Sequence, residues 1–201
     1  IRAVYNSRAD DPEYERLTFV LLGVATPPDL IKDRNRTPFN IGQHIDLREF
    51  TQYDSDVLFK ELGKYIPEKI EEVFAQIFSW TNGHPFLTQR LCLEIAASNK
   101  NDWDAEAVDK LVHKLFLSDK SKRETNLQFM REYVASSQRR EQLVKLYDQV
   151  YQGKDVYEEE RSQTQNQLKL IGLLQVEDGS PPRKLFVRNE VYRTVFNRDW
   201  I

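Results

Sequence analysis

The sequence has few cysteines and glycines, no long apolar run and no excess of positive charge, and each shortage excludes a class of protein. Its single cysteine, Cys92, allows neither an internal disulfide nor a cysteine-based zinc site, which fits a reducing compartment. No apolar run approaches the about 20 residues that a membrane-spanning helix needs, and no signal peptide is visible. The net charge of -3 lacks the basic excess of a dedicated nucleic-acid binder. We therefore expect a cytoplasmic protein without a membrane span.

The residues that are present predict a folded, helix-rich chain. Apolar residues make up 40% of the sequence and aromatic residues 11%, which is enough to form real cores. Charged residues reach 30% and there are only 7 glycines, a balance that favours helices over barrels or sandwiches. The chain starts with Ile1, Val4 and Tyr5 at helical spacing. We expect that residues 1–8 are the end of a helix and that the chain is a piece of a longer protein.

The first part of the chain has the pattern of an α/β remnant. Residues 9–16 are predicted to be a polar loop, and the apolar run 17–26 is predicted to be a buried strand of a parallel sheet. A loop with three prolines follows over 26–42, and residues 43–47 alternate as in a short strand. We assign residues 1–48 to this remnant.

Residues 49–120 show the periodicity and the capping signals of a bundle of short helices, which we assign to one subdomain; the family resemblance given below implies that it is a lid. Thr51 is predicted to cap the first helix together with Asp54, and Pro67 to open the second. The sequence Asn82-Gly83 is typical of a helix end. The next two helices are predicted to start at Pro85 and after Asp104.

The last part, residues 121–201, has the order of a winged helix-turn-helix. A polar linker is predicted over 118–126. The pattern then predicts two strands joined by a turn, and a short helix capped by Asn189. The predicted helices and strands are 127–136, 139–151, 157–170, 173–177 and 184–188. The fold class is therefore mainly α with a small α/β remnant.

Four segments, in this order, resemble a known family. They are LLGVATPPDLI at 21–31, TPFNIGQHIDLREFT at 37–51, TNGHPFLTQRLC at 81–92, and IGLLQVEDG with LFVRNEVYRTVF over 171–196. Together they resemble the C-terminal part of the AAA-like, STAND-type P-loop ATPase domain of prokaryotic, especially cyanobacterial, signalling proteins. The resemblance covers nearly the whole chain.

The resemblance implies a switch that binds an adenine nucleotide between the α/β core and the helical lid. A Gly-x-Pro turn at the start of a lid helix places its proline against the adenine, and Gly83-His84-Pro85 matches that turn. The winged helix packs on the nucleotide side at rest and moves on activation. The resemblance also implies an upstream ATPase core, downstream repeat or effector domains, and self-association as candidate partners.

The chain lacks the residues that hold phosphates and magnesium. A phosphate loop has the pattern Gly-x4-Gly-Lys-Ser/Thr, but the two Gly-Lys pairs, at 63–64 and 153–154, are followed by tyrosine and aspartate. The strand at 17–23 does not lead into a magnesium-binding acid and instead resembles the later, sensor-bearing strand. Thr26 is then a candidate γ-phosphate sensor, and Arg34 and Arg36 are candidate phosphate contacts. We expect no catalytic residue, no metal ligand and no bound cofactor in this chain alone, and ATP or ADP with Mg²⁺ only in the complete module.

Two other functions remain open at this stage. A winged-helix DNA-binding regulator would use helix 157–170 for recognition, but its predicted first turn carries Glu158, Glu159 and Glu160. Residues 126–201 hold 12 Lys/Arg and 11 Asp/Glu, a net charge of only +1, which is a poor electrostatic footprint for DNA. The other alternative is a degenerate ATPase that serves as a protein-interaction scaffold.

Overall fold

The computed structural model of the chain describes residues 1–20, 48–51, 53–98, 100, 102–118 and 124–201. The chain divides into two compact units, Ile1–Leu47 and Arg48–Ile201. In the first unit, helix α1 spans Arg2–Ser7, which confirms the predicted helix end. The predicted loop at 9–16 contains a 3₁₀ turn, Pro12–Arg16, because the Asp11 side chain caps it by accepting from the Glu13 amide.

The predicted strand at 17–26, the proline-rich loop and the short strand at 43–47 lie mostly outside the described residues. Leu17–Val20 are described and have no regular secondary structure. The rest of that strand, the proline-rich loop and the strand at 43–47 lie outside the described residues. These three assignments stay predictions.

The second unit is mainly helical with one small sheet. Its lid helices are α2 Asp56–Gly63, α3 Ile70–Thr81, α4 Pro85–Ala96 and α5 Ala105–Val112, with a π-helical turn at His113–Leu117. Its later elements are α6 Thr125–Ser136, α7 Arg140–Tyr151, α8 Gln163–Leu170, β1 Leu174–Val176, β2 Leu185–Val187 and α9 Glu190–Val195.

The first two lid helices begin later than the sequence predicts. Thr51 and Asp54 do form the reciprocal pair, since each accepts a hydrogen bond from the other's amide, at 3.2 and 3.0 Å. This pair closes a separate turn, and α2 begins only at Asp56. Pro67 lies in a turn before α3 rather than at its first position.

The other capping predictions for the lid are confirmed. Asn82 ends α3 in the left-handed conformation with φ 48°, and α4 begins at Pro85. The Asp104 carboxylate caps α5 by accepting from the Ala107 amide at 2.8 Å. Cys92 is buried in α4 and 7% exposed, and its burial raises the pKa of the thiol to about 12. Cys92 is thus a free, buried cysteine whose thiol stays protonated at neutral pH.

The prediction of a helix over 157–170 is wrong in its first six residues. Residues 156–158 extend instead along the outer edge of β2: Leu185 donates to the Val156 carbonyl at 2.8 Å, and Glu158 donates to the Arg183 carbonyl at 2.8 Å. Helix α8 starts at Gln163, after Ser162, whose side chain caps it. β1 and β2 are antiparallel, with Gln175 opposite Phe186.

One continuous core joins the lid helices to the C-terminal helices. Helix α9 packs on α3 and on the π-helical turn, and its Asn189 cap is present as predicted, with the Oδ1 atom accepting from the Tyr192 amide at 2.8 Å. Tyr192 and Phe196 are fully buried, and Phe196 meets Trp200 edge to face at 4.9 Å between ring centroids. Among the described residues, no helix has both the length and the apolar character needed to cross a membrane.

Candidate functional site

The backbone of the Gly83-His84-Pro85 turn connects α3 directly to α4. Asn82 and Gly83 both have positive φ, 48° and 73°, which turns the chain sharply at the end of α3. The His84 amide donates to the Thr81 carbonyl at 2.9 Å, and the His84 carbonyl accepts from the Thr88 amide at 2.9 Å. The turn therefore satisfies its backbone groups within the helix ends, and Pro85 occupies the first position of α4.

Gly83 is in close contact with the segment 48–51 that precedes α2. The Phe50 amide donates to the Gly83 carbonyl at 2.8 Å. A Cβ atom placed on Gly83 would lie 2.2 Å from the Phe50 carbonyl oxygen, far inside van der Waals contact. Both the positive φ and this backbone approach require glycine here.

His84 is partly buried and contacts helix α9. Its Nε2 atom lies 3.0 Å from the Tyr192 hydroxyl, and the two rings meet edge to face at 5.5 Å between centroids. Burial, together with the positive charge of Arg188, lowers the pKa of His84 from 6.5 to about 4. The imidazole is therefore neutral at pH 7. Its Nδ1 atom is buried and has no hydrogen-bond partner within the described part of the chain.

A second contact joins the same two regions through Glu49 and Arg188. The Arg188 Nε atom donates to Glu49 Oε1, and the side chains of this ion pair are 21% and 13% exposed. Gln175 on β1 donates to the same carboxylate oxygen at 3.0 Å, and Asn82 Nδ2 donates to the Arg188 carbonyl at 3.1 Å. Sequence reasoning did not identify Glu49, Arg188 or Tyr192 as parts of this site.

Pro85 and His84 are both partly exposed, whereas Gly83 is buried. The adjacent Phe86 is 41% exposed. Pro85 and Phe86 therefore form a partly exposed apolar surface at the start of α4.

The remaining candidate residues from the sequence cannot be placed beside this turn. Thr26, Arg34 and Arg36 lie outside the described residues. Within the described ranges, His, Cys, Asp and Glu side chains form no group of three or more that could hold a metal ion.

A separate charged cluster lies at the hairpin. Glu158 accepts from Lys169 at 2.7 Å and also from Arg183, and its side chain is only 10% exposed. Sequence reasoning placed Glu158 in the first turn of a helix, which was wrong because residues 156–158 pair with β2. The single Glu158 carboxylate thus pairs with one cation of α8 and one of the hairpin.

Comparison with known proteins identifies the family. The family described as the AAA-like domain matches residues 1–198. The whole chain is 34% identical, over 212 aligned positions, to an uncharacterized WD repeat-containing protein of Synechocystis sp., and it spans 17% of that protein's length. No solved structure matches the chain. The resemblance inferred from the ordered segments is thereby confirmed at the level of the family: the chain belongs to the AAA-like domain family.

Proposed function

We propose that the chain is the lid and winged-helix portion of an adenine-nucleotide-dependent, STAND-type signalling switch, and that it is not catalytic by itself. The observation that carries this proposal is the construction of the Gly83-His84-Pro85 turn. Gly83 fixes the turn against Phe50, His84 connects it to α9, and Pro85 is partly exposed. An adenine base then packs on Pro85, and His84 sets the position of the turn.

The complete module needs groups that this chain does not supply. The proposal assigns the phosphate loop and the Mg²⁺-binding acid to an upstream ATPase core, which would bind the phosphates of ATP or ADP. Thr26, Arg34 and Arg36 are proposed to approach those phosphates. The proposed division is an α/β remnant over 1–48, a lid over 49–120 and a winged helix over 121–201.

Downstream repeat domains are the proposed partners of this switch. The Synechocystis relative is a WD repeat-containing protein, and the chain spans a small part of its length. Repeat arrays offer extended binding surfaces. We therefore propose that such an array receives or transmits the signal in proteins that carry this domain, and that self-association accompanies activation.

The order of α6, α7, α8 and the hairpin supports the winged-helix assignment, but the charges of the hairpin argue against a DNA-binding function. A winged helix that binds DNA presents unpaired cations to the phosphates. Lys169 and Arg183 both donate to Glu158 instead. A regulatory, protein-contacting role is therefore the better account of this element.

Nucleotide binding to the full-length protein tests the proposal. We expect Pro85→Ala to weaken ADP binding roughly tenfold, measured by titration calorimetry. Pro67→Ala is the matched control, since Pro67 is an exposed turn proline of the same unit, outside the turn that the proposal assigns to the ligand. Equal ADP affinity in wild type and Pro85→Ala would refute the adenine assignment. No ADP binding by the wild type would favour the alternative of a degenerate ATPase that acts as a scaffold.

A further inference from the structure

Two side-chain contacts connect the start of the lid to the C-terminal hairpin and helix. Glu49 pairs with Arg188, and His84 contacts Tyr192. We call these four residues the clasp. Glu49 precedes α2 and His84 joins α3 to α4, whereas Arg188 follows β2 and Tyr192 lies in the first turn of α9. The clasp therefore bridges two regions that are distant in sequence.

On the C-terminal side, the backbone holds the two members of the clasp in a fixed relation. The Arg188 amide donates to the Leu173 carbonyl at 3.1 Å, which fixes it to the hairpin. Asn189 follows and caps α9 through the Tyr192 amide at 2.8 Å, and this cap is only 5% exposed. A movement of β2 and α9 therefore displaces Arg188 and Tyr192 together.

On the lid side, a hydrogen bond couples the other two members. The Phe50 amide binds the Gly83 carbonyl at 2.8 Å, so that Glu49 and His84 flank one backbone contact. The two backbones approach closely, because a Cβ atom on Gly83 would overlap the Phe50 carbonyl oxygen. This contact is the route by which we expect a displacement of Glu49 to reach the turn that contains Pro85.

The energetics of the clasp favour opening as a single event. Glu49 and Arg188 are largely buried, and removing one partner leaves the other charge buried without compensation. Rotation of His84 away from Tyr192 would leave a second imidazole nitrogen unsatisfied, since Nδ1 already has no partner among the described residues. Breaking either contact alone is therefore unfavourable.

We propose that Glu49, Arg188 and Tyr192 are positioning residues for the Gly83-His84-Pro85 turn, so that a nucleotide on Pro85 is coupled to the docking of β2 and α9. This inference rests on the proposed nucleotide function and specifies how the site is regulated. Linkage makes the coupling reciprocal: the factor by which clasp opening weakens ADP binding equals the factor by which ADP disfavours opening.

The test uses Glu49→Gln, Arg188→Gln and Tyr192→Phe in the full-length protein, with two readouts. The first is hydrogen exchange of residues 82–88 and 186–195, together with the NMR pKa of His84, without nucleotide. The second is the dissociation constant for ADP. We expect each variant to speed exchange in both segments and to weaken ADP binding about fivefold or more. The double variant Glu49→Arg with Arg188→Glu exchanges the two charges. We expect it to restore part of the exchange protection and part of the ADP affinity, which a general loss of stability would not predict.

Glu158→Gln is the matched control, because it breaks another part-buried ion pair of the hairpin without touching the turn. It should leave exchange at 82–88 and ADP affinity unchanged. Unchanged hydrogen exchange at residues 82–88 in the clasp variants would overturn the positioning role, whatever their affinity for ADP. If Pro85→Ala weakens ADP binding but the clasp variants do not, the coupling is overturned and the proposed function stands. If the wild type does not bind ADP, the nucleotide coupling fails with the proposed function, while the exchange data still decide the positioning role.

Discussion

Two buried tyrosines give a direct test of the contact between His84 and α9. Tyr192 and Tyr147 are both fully buried, and in both cases burial raises the pKa of the hydroxyl. They differ in one respect. The Tyr192 hydroxyl lies 3.0 Å from His84 Nε2, whereas the Tyr147 hydroxyl has no hydrogen-bond partner among the described residues. Substitution of each by phenylalanine removes one oxygen atom and retains the ring.

The two substitutions should change the free energy of unfolding by different amounts. Tyr192→Phe removes a hydrogen bond and leaves a buried imidazole nitrogen unsatisfied, which costs about 1–3 kcal/mol. Tyr147→Phe removes a hydroxyl whose burial is uncompensated, so the change should be close to zero or stabilising by up to about 1 kcal/mol. The difference between the two variants should therefore exceed about 1 kcal/mol.

Urea unfolding at pH 7, followed by far-UV circular dichroism, measures this difference. The midpoint of Tyr192→Phe should fall clearly below that of the wild type, and the midpoint of Tyr147→Phe should stay at or above it, with similar slopes. Equal destabilisation by the two substitutions would refute the reasoning, because it would mean that loss of the His84 contact has no cost of its own.

Three further outcomes follow from the structure and are measurable by the same unfolding assay. Gly83→Ala should lower the free energy of unfolding by about 2–5 kcal/mol, since the new side chain meets both a positive φ and an overlap with Phe50. Gly153→Ala, at φ 75° with open space around it, should lower it by only about 1–2 kcal/mol. Similar losses in the two variants would refute the overlap. His84 binds a proton less readily in the folded state, so stability should be complete above pH 6.5 and fall by up to roughly 3 kcal/mol as the pH drops toward 4, and His84→Gln should remove most of that slope. Glu158→Gln should lower the free energy of unfolding by about 1–3 kcal/mol, and salt-dependent duplex DNA binding by the wild type would contradict the charge argument.

Those features of the fold that depend on a few neighbouring residues were predictable from the sequence. The end of α3 at Asn82 and the starts of α4, α5 and α9 follow from local backbone preferences and from caps that reach two or three residues along the chain. The pairing of Thr51 with Asp54 was correct for the same reason. The helix that this pair was predicted to cap, α2, begins later, at Asp56.

Features that depend on distant residues were not predictable. The sequence 157–162 contains acids that favour a helix. Residues 156–158 instead form backbone hydrogen bonds with Arg183 and Leu185, and this tertiary pairing overrides the local preference. The candidate site shows the same limit. His84 and Tyr192 are 108 positions apart, and Glu49 and Arg188 are 139 positions apart, so no periodicity or motif brings them together.

The turn itself shows how a local signal and a tertiary role coexist in one tripeptide. Gly83-His84-Pro85 is a sufficient helix stop and start, and that alone would explain glycine and proline. It does not explain why a partly buried histidine between them contacts a tyrosine of α9 and is neutral at pH 7. With its Nε2 atom engaged by Tyr192, His84 contacts the C-terminal helix. The three residues therefore have separate roles: Gly83 for the close backbone approach, His84 for the contact with α9, and Pro85 for the base in the function that we propose.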